Sequence, residues 1–291
     1  MRRLAVLGRE DEWHVRELLR ACQCNGIATE CRSFGSIDAI CGEPSHYESF
    51  WAATDAMIVR SMPRGSLEQV IFRMDVLGRL EAEGRVVCNP PRSLEVAIDK
   101  YLTLTRLQQA GIPIPRTIVV QDAAAGLRAF ESLGGDVVLK PLFGSEGRGI
   151  IRLTDAELAW RAFKTIERLE GVIYLQQHLR HVGFDVRALV VGDDVFAMKR
   201  VNENDFRTNL SRGGRGDRFE LPTQWEELAR RAARAVGTMV GGVDLLPTEN
   251  GKVVVLEVNA VPGWRGIERV TGVPIAERII GLVERSWRTR G

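Results

Sequence analysis

Residues 241–263, GGVDLLPTENGKVVVLEVNAVPG, place acids where an apolar strand ordinarily has none: Asp244 before a turn, and Glu257 directly after the run Val253 to Leu256. Asn250-Gly251 favours a two-residue type I′ turn. In that register Glu249 opposes Lys252 and, counting outward, Asp244 opposes Glu257. Asn259 shares the Glu257 face because side chains alternate along a strand. Carboxylates directly opposite each other across a sheet repel. A divalent cation removes the conflict, since Mg²⁺ takes one or two carboxylates together with phosphates and water. The alternative is a solvated face on which both acids meet water. Pro247 is able to move the register by one, so at this level both readings stand.

A second constellation is VVLKPLFGSEGRGI, residues 137–150, in which a strand ending in Lys140 runs into a loop with Gly144, Gly147 and Gly149. Glycines allow positive φ and close backbone approach, so such a loop can wrap phosphates with its N–H groups. The order excludes a Walker A loop, where the lysine follows the glycines. A plain hairpin turn is the competing reading, against which an ammonium at the end of an apolar strand asks for an anionic partner. The chain has only five lysines, Lys100, Lys140, Lys164, Lys199 and Lys252. A third polar stretch, RTNLSRGGRGDRF, gathers Arg207, Arg212, Arg215 and Arg218 around Gly213-Gly214. Arginine forks suit carboxylate capture, with an RGG-like nucleic-acid segment and a solvated loop as the alternatives.

These groups sit in a chain of 291 residues, 45% hydrophobic, with a formal charge of +2. That is long for one compact unit and predicts two or three subdomains. The near-zero charge gives no case for non-specific nucleic-acid binding. No segment approaches the ~18 uninterrupted apolar residues of a membrane span, and the apolar run after MRR is too short for a signal peptide. A cytoplasmic protein is expected. Five cysteines without C-x-x-C spacing read as reduced thiols.

The elements follow from pattern. RLAVLG, IATECR, AMIVRS and RVVCNP read as strands, with a helix from Glu12 to Cys24 closed by Asn25-Gly26, which predicts a small parallel α/β domain ending near Pro90-Pro91. RSLEVAIDKYLTLTRLQQAGIPIP predicts one helix capped by Ser93, with Leu94, Ile98, Tyr101, Leu104 and Leu107 on its apolar face and Lys100 at the edge. A strand RTIVV, a helix over 123–133, the Lys140 strand and a helix over 157–170 come next. VIYLQQHL, DVRALVVG and DVFAMKRV read as strands, then a polar loop, a helix from Trp225 to Val240, the acid hairpin and a last amphipathic helix. No Ser/His/Asp or Cys/His arrangement stands out.

Asp99-Lys100, the 137–150 segment, DFRTNLSRGG (205–214) and LEVNAVPGWRGIERVTG (256–272) together resemble, in order and spacing, the ATP-grasp fold and within it the RimK-like carboxylate-amine ligases. The resemblance covers nearly the whole chain. It implies an α/β architecture of α+β lobes: a Rossmann-like pre-ATP-grasp domain (1–91), a central lobe with the glycine loop (92–171) and a C-terminal lobe with the metal site (172–291). It also implies ATP as substrate and Mg²⁺ as the ion, with Mn²⁺ and a two-ion site as variants.

Carried over by position, Lys100 and Lys140 contact the nucleotide phosphates. Gly144 to Gly149 form a mobile loop over them, with a hydroxyl from Ser145. Asp185 is an acid of the nucleotide pocket, Arg207 and Asn209 reach the γ-phosphate and acyl phosphate, and Asp244, Glu257 and Asn259 hold the metal. Lys140 and Arg207 are then the catalytic cations. Arg212, Gly213, Gly214, Trp264 and Arg265 face the substrate, with Trp264 equally suited to core packing. In the segment joining the lobes, relatives usually carry a Glu where this chain has Gln177 and His178, which leaves that polar contact with adenine open. His178 then reads as part of the adenine wall.

The implied reaction is formation of an acyl phosphate from a carboxylate and ATP, followed by amide formation with an amino acid, glutamate first among candidates. The acceptor expected is a small-molecule carboxylate such as a tetrahydromethanopterin-like coenzyme. A protein C-terminus, or an amino acid on an acidic carrier protein, is the alternative. A kinase and a non-catalytic nucleotide-binding regulator on the same fold are the readings from other classes. Family members of this kind imply a homo-oligomer, without nucleic-acid or membrane partners.

Overall fold

The computed structural model describes residues 3–42, 51, 54–144, 147–202, 208 and 213–290, with side chains to 288. Four parallel strands, β1 (Arg3–Leu7), β2 (Ala28–Arg32), β3 (Ala56–Val59) and β4 (Val86–Cys88), form a sheet in the order β2-β1-β3-β4. β1 shows why its run is apolar at every position: Leu4 and Val6 enter one core, Ala5 and Leu7 the other. A parallel sheet covered on both faces needs this continuous pattern rather than alternation. α1 (Trp13–Cys24) lies on one side, and α2 (Leu67–Ala82) on the other supplies Met74, Val76 and Leu77. A Ser66–Gln69 capping box starts α2.

The single helix expected over 93–107 is two: α3 (Pro91–Ile98) and α4 (Lys100–Gln109). Asp99 is the reason. Its backbone is extended and its carboxylate accepts from the Leu102 N–H at 3.0 Å, so it caps a new helix. Ser93 lies inside α3 instead of capping it, and Ile98 and Tyr101 are exposed rather than on a core face. The break makes Lys100 the first residue of α4.

A four-stranded sheet follows in the order β5-β8-β6-β7, built from β5 (Thr117–Val120), β6 (Val137–Lys140), β7 (Ile151–Leu153) and β8 (Ile173–Gln177). Alternation sorts its faces. Val137, Leu139, Ile173 and Leu175 pack under α5 (Ala123–Ser132) and α6 (Ala156–Arg168), which leaves Val138, Lys140 and Gln176 on the opposite face.

The third sheet is antiparallel, in the order β11-β10-β9-β12-β13: β9 (Phe184–Val191), β10 (Asp194–Val201), β11 (Arg215–Arg218), β12 (Val240–Pro247) and β13 (Val253–Asn259). β11 falls within the stretch expected to be a polar loop. α7 (Thr223–Val236) ends at Gly237, whose φ of 83° closes it with a left-handed residue. The helix expected to reach Val240 is therefore shorter, and Val240 already belongs to β12. α8 (Arg265–Thr271) and α9 (Ile275–Arg290) close the described chain. Ile275, Ile279, Ile280 and Val283 of α9 join a core shared between β1 and β9, which ties the first sheet to the third.

Candidate functional site

The hairpin of β12 and β13 delivers the two acids by a route that differs from the expected one. Thr248, not Glu249, pairs with Lys252: its N–H donates to the Lys252 carbonyl at 2.8 Å, and Gly251 at φ 78° closes a three-residue loop. That sets Pro247 opposite Val253 and Leu245 opposite Val255. The register then shifts between Asp244 and Leu245, Leu256 being the extra residue, and Asp244 lands opposite Glu257. The bulge also reverses the face of the strand. Val255 and Val258 both enter the core beneath α7, whereas Leu256 and Glu257 line the cleft above.

This cleft, of about 940 Å³, lies between the third sheet and the face of the second that carries Lys140. Its lining combines the charged Lys100, Lys140, Asp185, Arg200, Asp244 and Glu257 with the apolar Val138, Ile150, Leu246 and Leu256. Lys140 donates to Gln176 Oε1 at 2.6 Å, and Gln176 Nε2 donates to Thr117 Oγ1 at 3.1 Å. Burial pushes the Lys140 ammonium down to about 8, with Glu257 opposing the shift and Lys100 adding to it. Lys100 donates to the carbonyls of Gly144 (2.9 Å) and Leu142 (3.3 Å), and burial likewise lowers it. Both lysines thus have uncharged hydrogen-bond partners.

The acids stand in a charged network. Asp185 accepts two bonds from Arg200, at 2.7 and 2.6 Å, and Arg200 reaches Asp244 at 2.9 Å. Arg187 is 2.6 Å from Asp244 and 4.0 Å from Glu257. Desolvation works against the ionised Asp244, but Arg187 and Arg200 outweigh it and hold the carboxyl below its ordinary range. Glu257 goes the other way: desolvation and then the facing Asp244 raise it. Opposite shifts in facing carboxyls describe a pair that accommodates one proton between them, or one cation. Gly242 makes room for Arg187, because a Cβ there would lie 2.5 Å from Nη1.

Gly144, Gly147, Gln177 and His178 line the cleft, and Gly149 has the positive φ, 72°, that its type permits. Asn259 follows Glu257 by two on β13 and pairs with Gly242, but its Oδ1 accepts from the Val261 N–H at 2.8 Å and it is absent from the cleft lining. Trp264 is only 1% exposed, edge-on to His14 and beneath the Arg60 guanidinium, so it is spent on packing. Arg265 lies exposed over Trp13. Gly213 and Gly214 precede β11. Ser145, Arg207, Asn209 and Arg212 lie outside the described residues. Among the described residues no three or more His, Cys, Asp or Glu cluster as a metal site, and no helix is long and apolar enough to cross a membrane.

Three residues that sequence reasoning passed over complete the arrangement: Gln176, Arg187 and Arg200. The last two were accessible. Arg187 shares the Asp185 face by alternation, and counting outward from Gly192 in the β9–β10 turn sets Arg200 opposite Asp185, as observed.

Known proteins match this architecture. Residues 97–283 match the RimK-like ATP-grasp domain. A tetrahydromethanopterin:alpha-L-glutamate ligase of Methanosarcina acetivorans is 34% identical, over 97% of this chain and 98% of that one. One from Methanocaldococcus jannaschii is 31% identical over 96% and 97%. The solved structure of the ATP-grasp ligase PsnB, complexed with a phosphomimetic variant of its minimal precursor, Mg and ADP, superposes with a TM-score of 0.76 at 25% identity, covering 98% of both chains. A cleft walled by two lysines on one side and paired acids on the other, in a chain matched end to end by such relatives, places this protein in the RimK-like ATP-grasp family of amide-forming ligases.

Proposed function

We propose that the chain is an ATP- and Mg²⁺-dependent ligase that adds L-glutamate to a small-molecule carboxylate, a tetrahydromethanopterin-like coenzyme being the acceptor that its relatives' names suggest. The observation that carries the reading is the opposition across one cleft of Lys100 and Lys140, whose hydrogen-bond partners among the described residues are uncharged, to Asp244 and Glu257, which face each other. Triphosphate oxygens complement the first pair, and a divalent cation the second.

The residues fit the ion. Asp244 and Glu257 are hard oxygen donors that face each other across β12 and β13. A single Mg²⁺ with two protein carboxylates and phosphate oxygens is the simplest occupancy; Asn259 would join only by giving its oxygen a second partner. A cation bound there supplies charge neutralisation at the transferring phosphoryl group. Lys140 and Lys100 hold the phosphates from the opposite wall, and Arg187 and Arg200 keep Asp244 ionised and aimed. The apolar lining residues Val138, Ile150, Leu246 and Leu256 suit the flat nucleobase. The acceptor carboxylate oxygen attacks the γ-phosphorus and ADP leaves. The glutamate amine then attacks the acyl carbon, releasing phosphate and a proton. Positioning and electrostatics suffice, and no side chain becomes covalently attached.

ADP release measured with glutamate and a panel of carboxylate acceptors, with mass spectrometry of the product, tests the proposal. Amide product dependent on both co-substrates is expected. ADP release that needs no amine, with a stable phosphorylated product, makes the protein a kinase instead.

A further inference from the structure

β13 is the edge strand of the third sheet, so Glu257 has a ladder partner on one side alone. After the bulge only the pairs Asp244–Glu257, Val243–Val258 and Gly242–Asn259 remain before that ladder ends. So short a ladder leaves the direction of the strand end to whatever grips the chain beyond it. The grip comes from the first sheet. Asn89 follows β4 and is 2% exposed. Its Nδ2 donates to the carbonyls of Ala260 at 2.5 Å and Val240 at 2.7 Å, and its Oδ1 accepts from the N–H groups of Met239 at 2.6 Å and Val240 at 2.8 Å. Both hydrogens and both lone-pair positions of the carboxamide are thus used. Val240 pairs with Val191 of β9 on one side and lies beyond the end of the β13 ladder on the other. The carboxamide, which has the donor and acceptor of a peptide unit, takes the place that β13 leaves.

Two further residues continue the grip at every second position. Arg60, directly after β3, donates from Nη1 to the Pro262 carbonyl at 2.8 Å, and the Trp264 N–H donates to Nε2 of His14, in α1, at 3.1 Å. Burial, then Arg60 and Arg265, push the His14 imidazole down to about 3, which keeps that nitrogen an acceptor. None of the three side chains lines the cleft. Resting on the nucleotide and cation reading of the cleft, we infer that Asn89, assisted by Arg60 and His14, is a positioning residue: it fixes the exit of β13 and thereby keeps Glu257 opposite Asp244 for one cation to bind. The first sheet, which carries neither acid, thus sets the affinity for metal without touching it.

ATP affinity of the full chain, measured by titration calorimetry with Mg²⁺ and again in EDTA, separates this role from general loosening. The ratio of the two affinities is the gain that the metal supplies. In Asn89→Ser, which loses the bridge but leaves room for water, that gain falls about tenfold, as it does when the outer supports of a metal site are removed. ATP in EDTA still binds within about twofold of wild type, because Lys100 and Lys140 are untouched. Arg60→Met, which releases Pro262 and removes a buried charge, lowers the gain a few-fold and serves if the serine variant does not fold. Trp287→Phe is the control. It removes the Nε1 bond to the Asp55 carbonyl, 3.1 Å long, which ties α9 to the opposite end of β3 from Arg60. That variant melts lower, with the gain unchanged. An unchanged gain in both Asn89→Ser and Arg60→Met overturns the assignment, as does an equal fall in Trp287→Phe. Wild-type protein that binds ATP equally with and without Mg²⁺ is a different result, which removes the cation reading of the acid pair itself.

Discussion

The two walls of the cleft solve opposite problems. On the wall made by α4 and β6, the charges are two ammonium groups held by neutral oxygens: Gln176 for Lys140, and loop carbonyls for Lys100. On the wall made by β9, β10, β12 and β13, the charges are compensated within the fold, with Asp185 and Asp244 bridged by Arg200, and Arg187 spanning Asp244 and Glu257. Among the described residues the first wall offers its ammonium groups only neutral hydrogen-bond partners; the second is largely charge-compensated beforehand. Substitutions on the two walls should therefore separate binding from stability.

The largest separation is expected within the acid pair. Glu257→Gln removes Mg²⁺-dependent ADP release by on the order of 100-fold or more, yet leaves the melting temperature within about 2 °C, since Glu257 is the less tightly paired partner. Asp244→Asn loses turnover as well and also costs roughly 3–5 kcal/mol of stability, because the buried Arg187 loses its 2.6 Å partner and Arg200 keeps only Asp185. Thermal melts beside turnover assays read both. Wild-type activity in Glu257→Gln would end the metal-site assignment.

Lys140→Met tests the opposite wall. Nucleotide affinity falls roughly 10- to 100-fold with the loss of a charge-assisted contact, while the empty protein melts at or above the wild-type temperature. The sign follows from linkage. The folded-state pKa of about 8 lies below the ordinary 10.5, so the unfolded chain binds more protons between those values. This group therefore makes the empty protein more stable as pH rises from about 8 to 10.5. Melts across that range show the increment in wild type and not in the methionine variant. Nucleotide affinity declines over the same interval as the ammonium is lost.

Smaller effects come from the residues that position these groups. Gly242→Ala places a methyl against Arg187 and Pro262 and costs about 1–3 kcal/mol. Its turnover drops because Arg187 no longer lies against Asp244; a crystal structure of the variant with Arg187 unmoved would contradict this. Thr117→Val deprives the Gln176 amide of its acceptor, costs about 1 kcal/mol and raises the KM for ATP a few-fold, measured by initial rates.

The two hairpins of the third sheet show how far such a site is legible. In the β9–β10 hairpin, counting outward from a tight turn at Gly192 gives every pair, including Asp185 with Arg200. In the β12–β13 hairpin the same counting begins from the wrong turn and is one residue out at Leu245 and Val255, yet it reaches the correct Asp244–Glu257 pair because the extra residue Leu256 cancels the error. The apolar run VVVL gives no sign of where a bulge belongs, since all four residues suit either face. The Asp99 break between α3 and α4 was readable as an N-cap, but the continuous apolar periodicity around it hid the signal.

Local chemistry written in residue order was determined by the sequence alone: apolar runs that end in Lys140 and in Glu257, glycines where the loop needs positive φ, and an acid pair near one turn. These depend on neighbours a few residues apart, and periodicity reports them. Only the tertiary structure decided which partners those charges have. Gln176 for Lys140, Arg187 and Arg200 for Asp244, and Asp136 with Arg152 for His178 come from different strands, and the pairing depends on strand order and on one bulge. Those are set by how the whole core packs, and no local pattern encodes them.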